Sequence, residues 1–473
     1  MDIFNKELFF TRTIKPLMRE RLLFILLFNI ATYIWTFSVH ANIDHSVVVE
    51  SEAIDNVWSG HRVSPALITR GNEQFVAYYD SNRQMTIAHR KIGTPWRYYK
   101  LDSWVGWDSH NYVTIELDKD GYLHVLGNLH SDAIEYFRML EPLKVRSLKR
   151  ISVMVDPAVE RKMTYPIFLK NKNDELIAKY RDGGSGNGNE IYNIYDTQTK
   201  TWRRLHDNQF LDGEGKRSGY FEGPTLGPDG NFHLIWVWRD TPDASTNHSL
   251  SYARSSDLVN WEDSTGKRLQ LPIRHSTAEI VDPVGVKGGM INGNIKLGFD
   301  QGNNPIISYH KYGKNGNTQM FVARSHQNDW QVKQISQWTN FRWDFGGGGS
   351  LGRFPIKPHT VEVLNNNTLS VLVRKEDDIF RFVIDSDSLE TLEVQNADLY
   401  PQQIETITTE SNRMLFESSH LPFEHRVFKG KGDLSAKSGQ FYLSLHSQPS
   451  NRDRAHKMIS MPSVLLLHEA IPK

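Results

Sequence analysis

Cysteine is absent from this 473-residue chain. That one absence excludes a disulfide scaffold, a thiol nucleophile, iron–sulfur clusters and thiolate zinc sites. Net charge is missing too: 55 Lys and Arg stand against 55 Asp and Glu. The chain therefore lacks the positive field by which a protein gathers nucleic acid, and no nucleic-acid partner is expected. Long apolar runs are almost absent. The only one spans residues 22–37, and a membrane span needs roughly 20 residues. With 39% hydrophobic and 23% charged residues, the chain has the composition of a globular protein, neither disordered nor multi-spanning.

The apolar run belongs to an export address. Lys6, Arg12, Lys15, Arg19 and Arg21 precede it, and Ser38-Val39-His40-Ala41 follows, with a small residue at a cut after Ala41. Basic flank, apolar middle and small-residue exit are the parts of a secretory signal. Residues 1–41 are read as a signal peptide or an uncleaved N-terminal anchor. Either way, residues 42–473 are expected outside the cytoplasm of a bacterium: secreted, periplasmic or on the cell surface.

The remainder repeats. Polar turns at Gly71-Asn72, Asp120-Gly121, Asn173-Asp174, Asp229-Gly230, Gln301-Gly302, Asn366-Asn367 and Ser411-Asn412 each lead into a short apolar run. Those runs are 74–79, 122–127, 176–180, 232–238, 305–309, 369–373 and 414–417. Trp96, Trp202, Trp261 and Trp330 close four of the units. A turn-and-strand unit at this spacing predicts a radial all-β array, a single seven-bladed β-propeller over 42–473. The C-terminal stretch 420–473 is expected to complete the first blade and close the ring. Ser256-Asp257-Leu258-Val259-Asn260-Trp261 resembles a degenerate Asp-box, a structural turn of sialidase-like blades.

Chemistry-bearing residues gather in three stretches. The first holds Asp108-Ser109-His110-Asn111 and Asn128-Leu129-His130, with His124 between them as a packed strand residue. The second is Thr164-Tyr165-Pro166, followed by Arg181 and a Gly-rich run to Asn189. That run lacks the Lys-Ser/Thr of a phosphate loop. The third runs from Arg217 through Tyr220, Trp236, Trp238 and Arg239 to His248, with half of its aromatics assigned to blade core. His, Tyr and Arg without a carboxylate pair argue against ordinary glycoside hydrolysis, which uses two carboxylates flanking the bond. β-Elimination beside a uronate instead needs a cation for the carboxylate, a base for the C5 proton and an acid for the leaving oxygen.

At these motifs the sequence resembles the BNR-repeat propeller family that contains the ulvan lyases, polysaccharide lyase families twenty-four and twenty-five. The likeness runs from Val57-Trp-Ser-Gly-His61 through Asp108-Ser-His110-Asn111, Thr164-Tyr165-Pro166, Tyr180-Arg181-Asp182-Gly183 and Trp238-Arg239-Asp240 to the glycines before Ser350. The resemblance implies elimination within ulvan, between rhamnose 3-sulfate and glucuronic or iduronic acid. His110, His130, Tyr165 and Arg181 match the active centre, with Tyr220, Arg239, His248 and Asn111 as substrate contacts. Arg181 is expected to hold the uronate carboxylate, and either His110 or Tyr165 to act as base. Some relatives hold a structural metal partly through Cys. No metal is assigned here and no cofactor is required for the chemistry; His248, His275, His310 and His359 are the candidate ligands should a structural ion be present. The expected partner is an acidic sulfated polysaccharide, with no protein partner and a monomeric state. Two alternatives stay open. One is a propeller hydrolase releasing rhamnose from glucuronic acid caps, whose His on the opposite face resembles His61. The other is a propeller that binds acidic glycans without turnover.

Overall fold

The computed structural model describes residues 46–327, 329–417, 422–432, 439–456 and 461–472. The leader 1–41 lies outside them. Among the described residues no helix is long and apolar enough to cross a membrane.

The chain folds as a seven-bladed β-propeller. Its strands form seven sheets of four or five strands, blade I at 66–104, II at 113–151, III at 163–204, IV at 218–282, V at 295–334 and VI at 356–396. Blade VII joins the two ends of the chain. Strand Ser46–Val57 pairs antiparallel with Ser463–Pro472, which continues through Gln440–Ser447 to Glu424–Lys429. The ring therefore closes by the N-terminal strand completing the last blade, rather than by the C-terminal stretch completing the first. First strands of neighbouring blades touch one another, as blades II and III or V and VI do, and so surround the axis.

Each blade is covered on both faces by its neighbours, so its second strand is buried through its middle. Phe232–Arg239 is buried at all eight positions, which explains the continuous apolar runs in the sequence. The polar turns before them have a local cause. Asp118 Oδ1 accepts the backbone N–H groups of Asp120 (3.0 Å) and Tyr122 (2.9 Å). Asn171 does so for Asn173 and Glu175, and Asp300 for Gly302 and Asn304. A short side chain that accepts two residues onward makes the turn without help from elsewhere. The Asp-box works alike, with Asp257 Oδ1 accepting from Val259 and Asn260 while Trp261 packs inward.

One expected strand is a helix. Residues 414–417 lie in the helix Arg413–Glu417, directly after the helix Gln402–Ser411. Ile404 and Thr408, one turn apart, face blade VII, and Thr408 Oγ1 lies 2.6 Å from Ser444 Oγ. A four-residue apolar run fits a helix as well as a strand by its pattern alone; here only Leu415 of that run is fully buried, while Met414 is 70% exposed.

Blade VII also collects three histidines. The rings of His425 and His446 are 5.2 Å apart, and His468 Nε2 lies 2.6 Å from Ser444 Oγ. Burial pushes all three down to about 4, helped at His446 and His468 by the charge of His425. In the unfolded chain each titrates near 6.5. Between those values the unfolded chain binds more protons, so stability is full above about 6.5 and falls as pH drops toward 4. The urea midpoint is expected to be lower at about pH 5 than at about pH 7, with a smaller difference in His446→Gln. Equal midpoints at the two pH values would contradict this.

Candidate active site

Several sequence-predicted residues gather around Tyr165: His110 and Tyr220 through ring contacts and Arg181 through its guanidinium. His110 lies in the loop from blade I to blade II, where Asp108 Oδ1 accepts the His110 backbone N–H at 2.8 Å. His130 follows the second strand of blade II and opens a three-residue strand, His130–Asp132, that pairs with Met163–Lys170 of blade III. In that register His130 is opposite Thr164, and Thr164 is opposite Arg181. The register thus places His130 and Arg181 on either side of Thr164, the residue before Tyr165.

Tyr165 stands at a register shift between Thr164 and Ile167 with φ +55°. A bulky residue resists this left-handed region, and proline after it disfavours helical backbone further. Such strain costs about 1–3 kcal/mol and collects at functional sites. Tyr112 helps hold the bulge by donating its hydroxyl to Pro166 O at 2.9 Å.

Asp108 organises the histidines. Its Oδ1 meets His110 Nδ1 at 2.6 Å, and its Oδ2 meets His130 Nδ1 in a short contact. The two rings lie 4.0 Å apart at 31°, and His110 meets the Tyr165 ring edge-on at 5.5 Å. Burial alone would raise the Asp108 carboxyl, but the hydrogen bonds from both imidazoles outweigh it and hold the group well below the usual carboxylate range. With each Nδ1 given to Asp108, each Nε2 is left to face a ligand. Asp453 and Ser350 back this cluster: Ser350 Oγ contacts Asp453 and lies 3.2 Å from His110 Nδ1.

Arg181 is placed differently from expectation. It is 2% exposed and lies beneath two tyrosines, its Cζ 5.0 Å from the Tyr165 ring centre and 5.7 Å from that of Tyr220. It donates to Thr164 Oγ1 (3.1 Å) and Tyr220 OH (3.4 Å). A buried guanidinium with those partners supports the tyrosines instead of reaching into the open space. Burial and the neighbouring Tyr220 raise the Tyr165 hydroxyl above its ordinary range, while Arg181 and Arg239 oppose the rise. Tyr165 is therefore protonated at neutral pH.

Arg239, also buried, does border the cavity. That space, about 240 Å³, is lined by His110, Tyr165, Arg239 and Ser350 among others. Tyr220 packs against Tyr165 at 5.9 Å and lies 2.6 Å from Ser185 Oγ through its hydroxyl. Asn111 and His248 are turned to structural use. Asn111 ties its loop to Asn128 at 3.0 Å, and His248 is held by Ser249 (2.9 Å) and Asp240 (3.0 Å). His124 is fully buried between Tyr136 and Asp118, as its alternating strand predicted.

His61 is not on the opposite face. It lies close enough to feel the charges of Asp108, His110 and Asp453, and it is 1% exposed. Burial, then His456, pushes it down to about 4. It is a neutral packed ring beside Trp58.

Of the candidate metal ligands, His248 and His275 approach each other, with rings 5.1 Å apart. His310 pairs with Asn294 and packs on Trp343. Among the described residues, the one group of three or more imidazole and carboxylate donors within 4.8 Å of one another is Asp108, His110, His130 and Asp453. Its mixed N/O donor set suits a divalent ion in kind, yet both imidazole Nδ1 atoms are already satisfied by Asp108. Sequence reasoning assigned no role to Asp108 or Asp453. The Asp-Ser-His spacing, which lets a carboxylate cap its own loop, was the available signal for Asp108; Asp453 had none.

Residues 73–338, more than half of the chain, match the model of the family described as BNR repeat-containing family member. Among curated proteins no sequence matches. The crystal structure of polysaccharide lyase Uly1 superposes with a TM-score of 0.60 at 11% identity, covering 90% of this chain and 99% of that one. A PL25 ulvan lyase gives 0.58 at 13% identity, covering 88% and 95%. The same values hold for that lyase bound to GlcA(1-4)Rha3S. At these identities the likeness is one of fold.

Proposed function

This chain belongs to the BNR repeat-containing family, and from that premise we propose that it is a polysaccharide lyase acting on a uronate-containing sulfated polysaccharide such as ulvan. The observation that carries the reading is the convergence of His110, Tyr165 and Arg239 on one cavity, with His130 and Asp108 against His110 and Arg181 behind Tyr165. The ulvan lyases among the similar folds support it.

In this proposal His110 Nε2 takes the C5 proton of the uronate. The electron pair left at C5 forms the C4–C5 double bond as the C4–O4 bond breaks, and the Tyr165 hydroxyl donates its proton to the departing O4. Arg239 and His130 offset the charge that builds on the carboxylate during proton removal. Preorganised donors at such a charge contribute on the order of 10²–10³ in rate each. Arg181 acts through the tyrosines, as a positioning residue. A protonated Tyr165 suits the acid role and leaves the base role to His110.

The deciding experiment is digestion of a panel of uronate polysaccharides while following ultraviolet absorbance of the unsaturated uronate product. Rising absorbance on ulvan is expected. Release of free rhamnose without absorbance would favour a hydrolase, and unchanged chain length would favour a binding protein. Burial of His61 speaks against the hydrolase. Export belongs to the same reading, because an intact polysaccharide is too large to be taken up before it is cut, and the basic-then-apolar leader supplies the route. N-terminal sequencing of the exported protein tests cleavage after Ala41. We propose a monomer, to be checked by light scattering.

A further inference from the structure

The chain as a whole is neutral, yet positive charge collects along the wall of the same cavity. Arg62, from the loop entering blade I, and Arg426, on the first strand of blade VII, line the same space as His110, Tyr165 and Arg239. Their partners are few. Arg62 Nε lies 3.9 Å from Glu424 Oε2, a loose pair. Arg426 donates to Val63 O (3.0 Å) and Ser64 Oγ (2.9 Å), which are neutral groups. Arg374 donates to the carbonyls of Glu376 and Phe354. Lys357, on the first strand of blade VI, has no acceptor on its ammonium among the described residues.

These cations act on one another. Burial, then the charges of Arg62, Lys296, Arg374 and Arg426, push Lys357 down to about 8. Burial and Arg62 likewise push Arg426 to about 9, against the pull of Glu424. His359, two residues along the Lys357 strand, is driven to about 3 by burial and by Lys357, Lys296 and Arg374. Partly buried charges of one sign repel strongly because little water screens them. An arrangement that costs stability, beside a cavity that already holds the reacting groups, calls for a counter-charge from outside the chain.

We infer that Arg62 and Arg426 form a second anion subsite in the axial cavity, receiving an oxyanion on the sugar next to the one under attack. The inference rests on the lyase reading for the identity of the polymer. The anion is a sulfate ester or a second uronate carboxylate, which share the charge and acceptor geometry that arginine matches.

Two measurements test it. The first is equilibrium binding of a sulfated uronate–rhamnose oligosaccharide to a His110→Ala protein, which holds the glycan without turning it over. Arg62→Gln or Arg426→Gln, added to that background, should each weaken binding about tenfold, the loss of one charge-assisted contact. If the desulfated oligosaccharide binds weakly from the start and is indifferent to Arg62→Gln, the anion is the sulfate ester. If it loses the same tenfold, the anion is a carboxylate. The second uses inorganic sulfate as the probe in thermal melts at fixed ionic strength. Wild-type protein should be stabilised beyond the effect of chloride, and Arg62→Gln should lose that excess. Undiminished oligosaccharide binding in both variants would overturn the subsite and leave the lyase reading standing. Absence of binding by any acidic oligosaccharide, with the sulfate effect intact in wild type and lost in Arg62→Gln, would keep the anion site and overturn the lyase reading.

Discussion

Asp108→Asn is expected to reduce turnover by about 10³–10⁴-fold while leaving the blades folded. In a serine-protease triad the equivalent exchange costs about 10⁴ because the amide holds the imidazole in the wrong tautomer. Here one carboxylate orients two imidazoles, His110 at 2.6 Å and His130 in the short contact. An amide can accept from one Nδ1–H only, and its NH₂ forces the other ring to turn its acceptor inward and present Nε2 as a donor. The base or the carboxylate partner is then lost. Because Asp108 acts through the histidines, kcat should fall with little change in KM. Asp108→Glu should recover part of the rate, and proton spectra should lose the downfield Nδ1–H signals. A rise in KM at unchanged kcat would show that Asp108 contacts substrate, not the histidines. The pH sign follows from the lowered carboxyl: its stabilising contribution is complete above the unfolded value near 3.9 and is lost as pH falls through the lower folded value. The histidine pair should therefore stay anchored through the mildly acidic range.

Tyr165→Phe should cost about 10²–10⁴-fold in turnover, the range for removing a general acid. The ring is retained, so its packing against Tyr220 and the guanidinium of Arg181 beneath should persist and the thermal midpoint should stay close to that of the wild type. Since burial raises the Tyr165 hydroxyl, the proton is present until well above the ordinary tyrosine range. Wild-type activity should then show no decline at moderately alkaline pH from this group. If activity instead climbed with a tyrosine-like alkaline titration and the climb vanished in Tyr165→Phe, Tyr165 would be the base and His110 would need another role.

Much of the architecture was legible because a propeller repeats one local instruction. Asp118, Asn171 and Asp300 each make a turn with atoms two to four residues away, and the apolar run that follows is buried on both faces wherever it stands. Those are short-range facts, so a sequence displays them. The candidate site residues stood out for a related reason: His110, Tyr165 and Arg181 are polar or ionisable residues in or beside otherwise apolar strands and their loops. The failures share a cause as well. Residues 414–417 are short enough for either element, and their packing against blade VII chose the helix. Asn111 and His248, expected as substrate contacts, are held by hydrogen bonds to Asn128, Ser249 and Asp240 that the sequence did not display.

The sequence by itself determined the all-β class and the blade count, and singled out candidate site residues, through side chains that act on their own turn or strand. Only the tertiary structure decided what those residues do to one another. It set Asp453 and Ser350 behind His110, sank Arg181 under two tyrosines, and brought Arg62, Arg239 and Arg426 to one cavity. Each of these contacts joins segments far apart in the chain, brought together only because seven blades present their loops to one axis. Electrostatic influence falls with distance in space and takes no account of separation along the chain, so the charge balance of the site could be drawn only once the ring had closed.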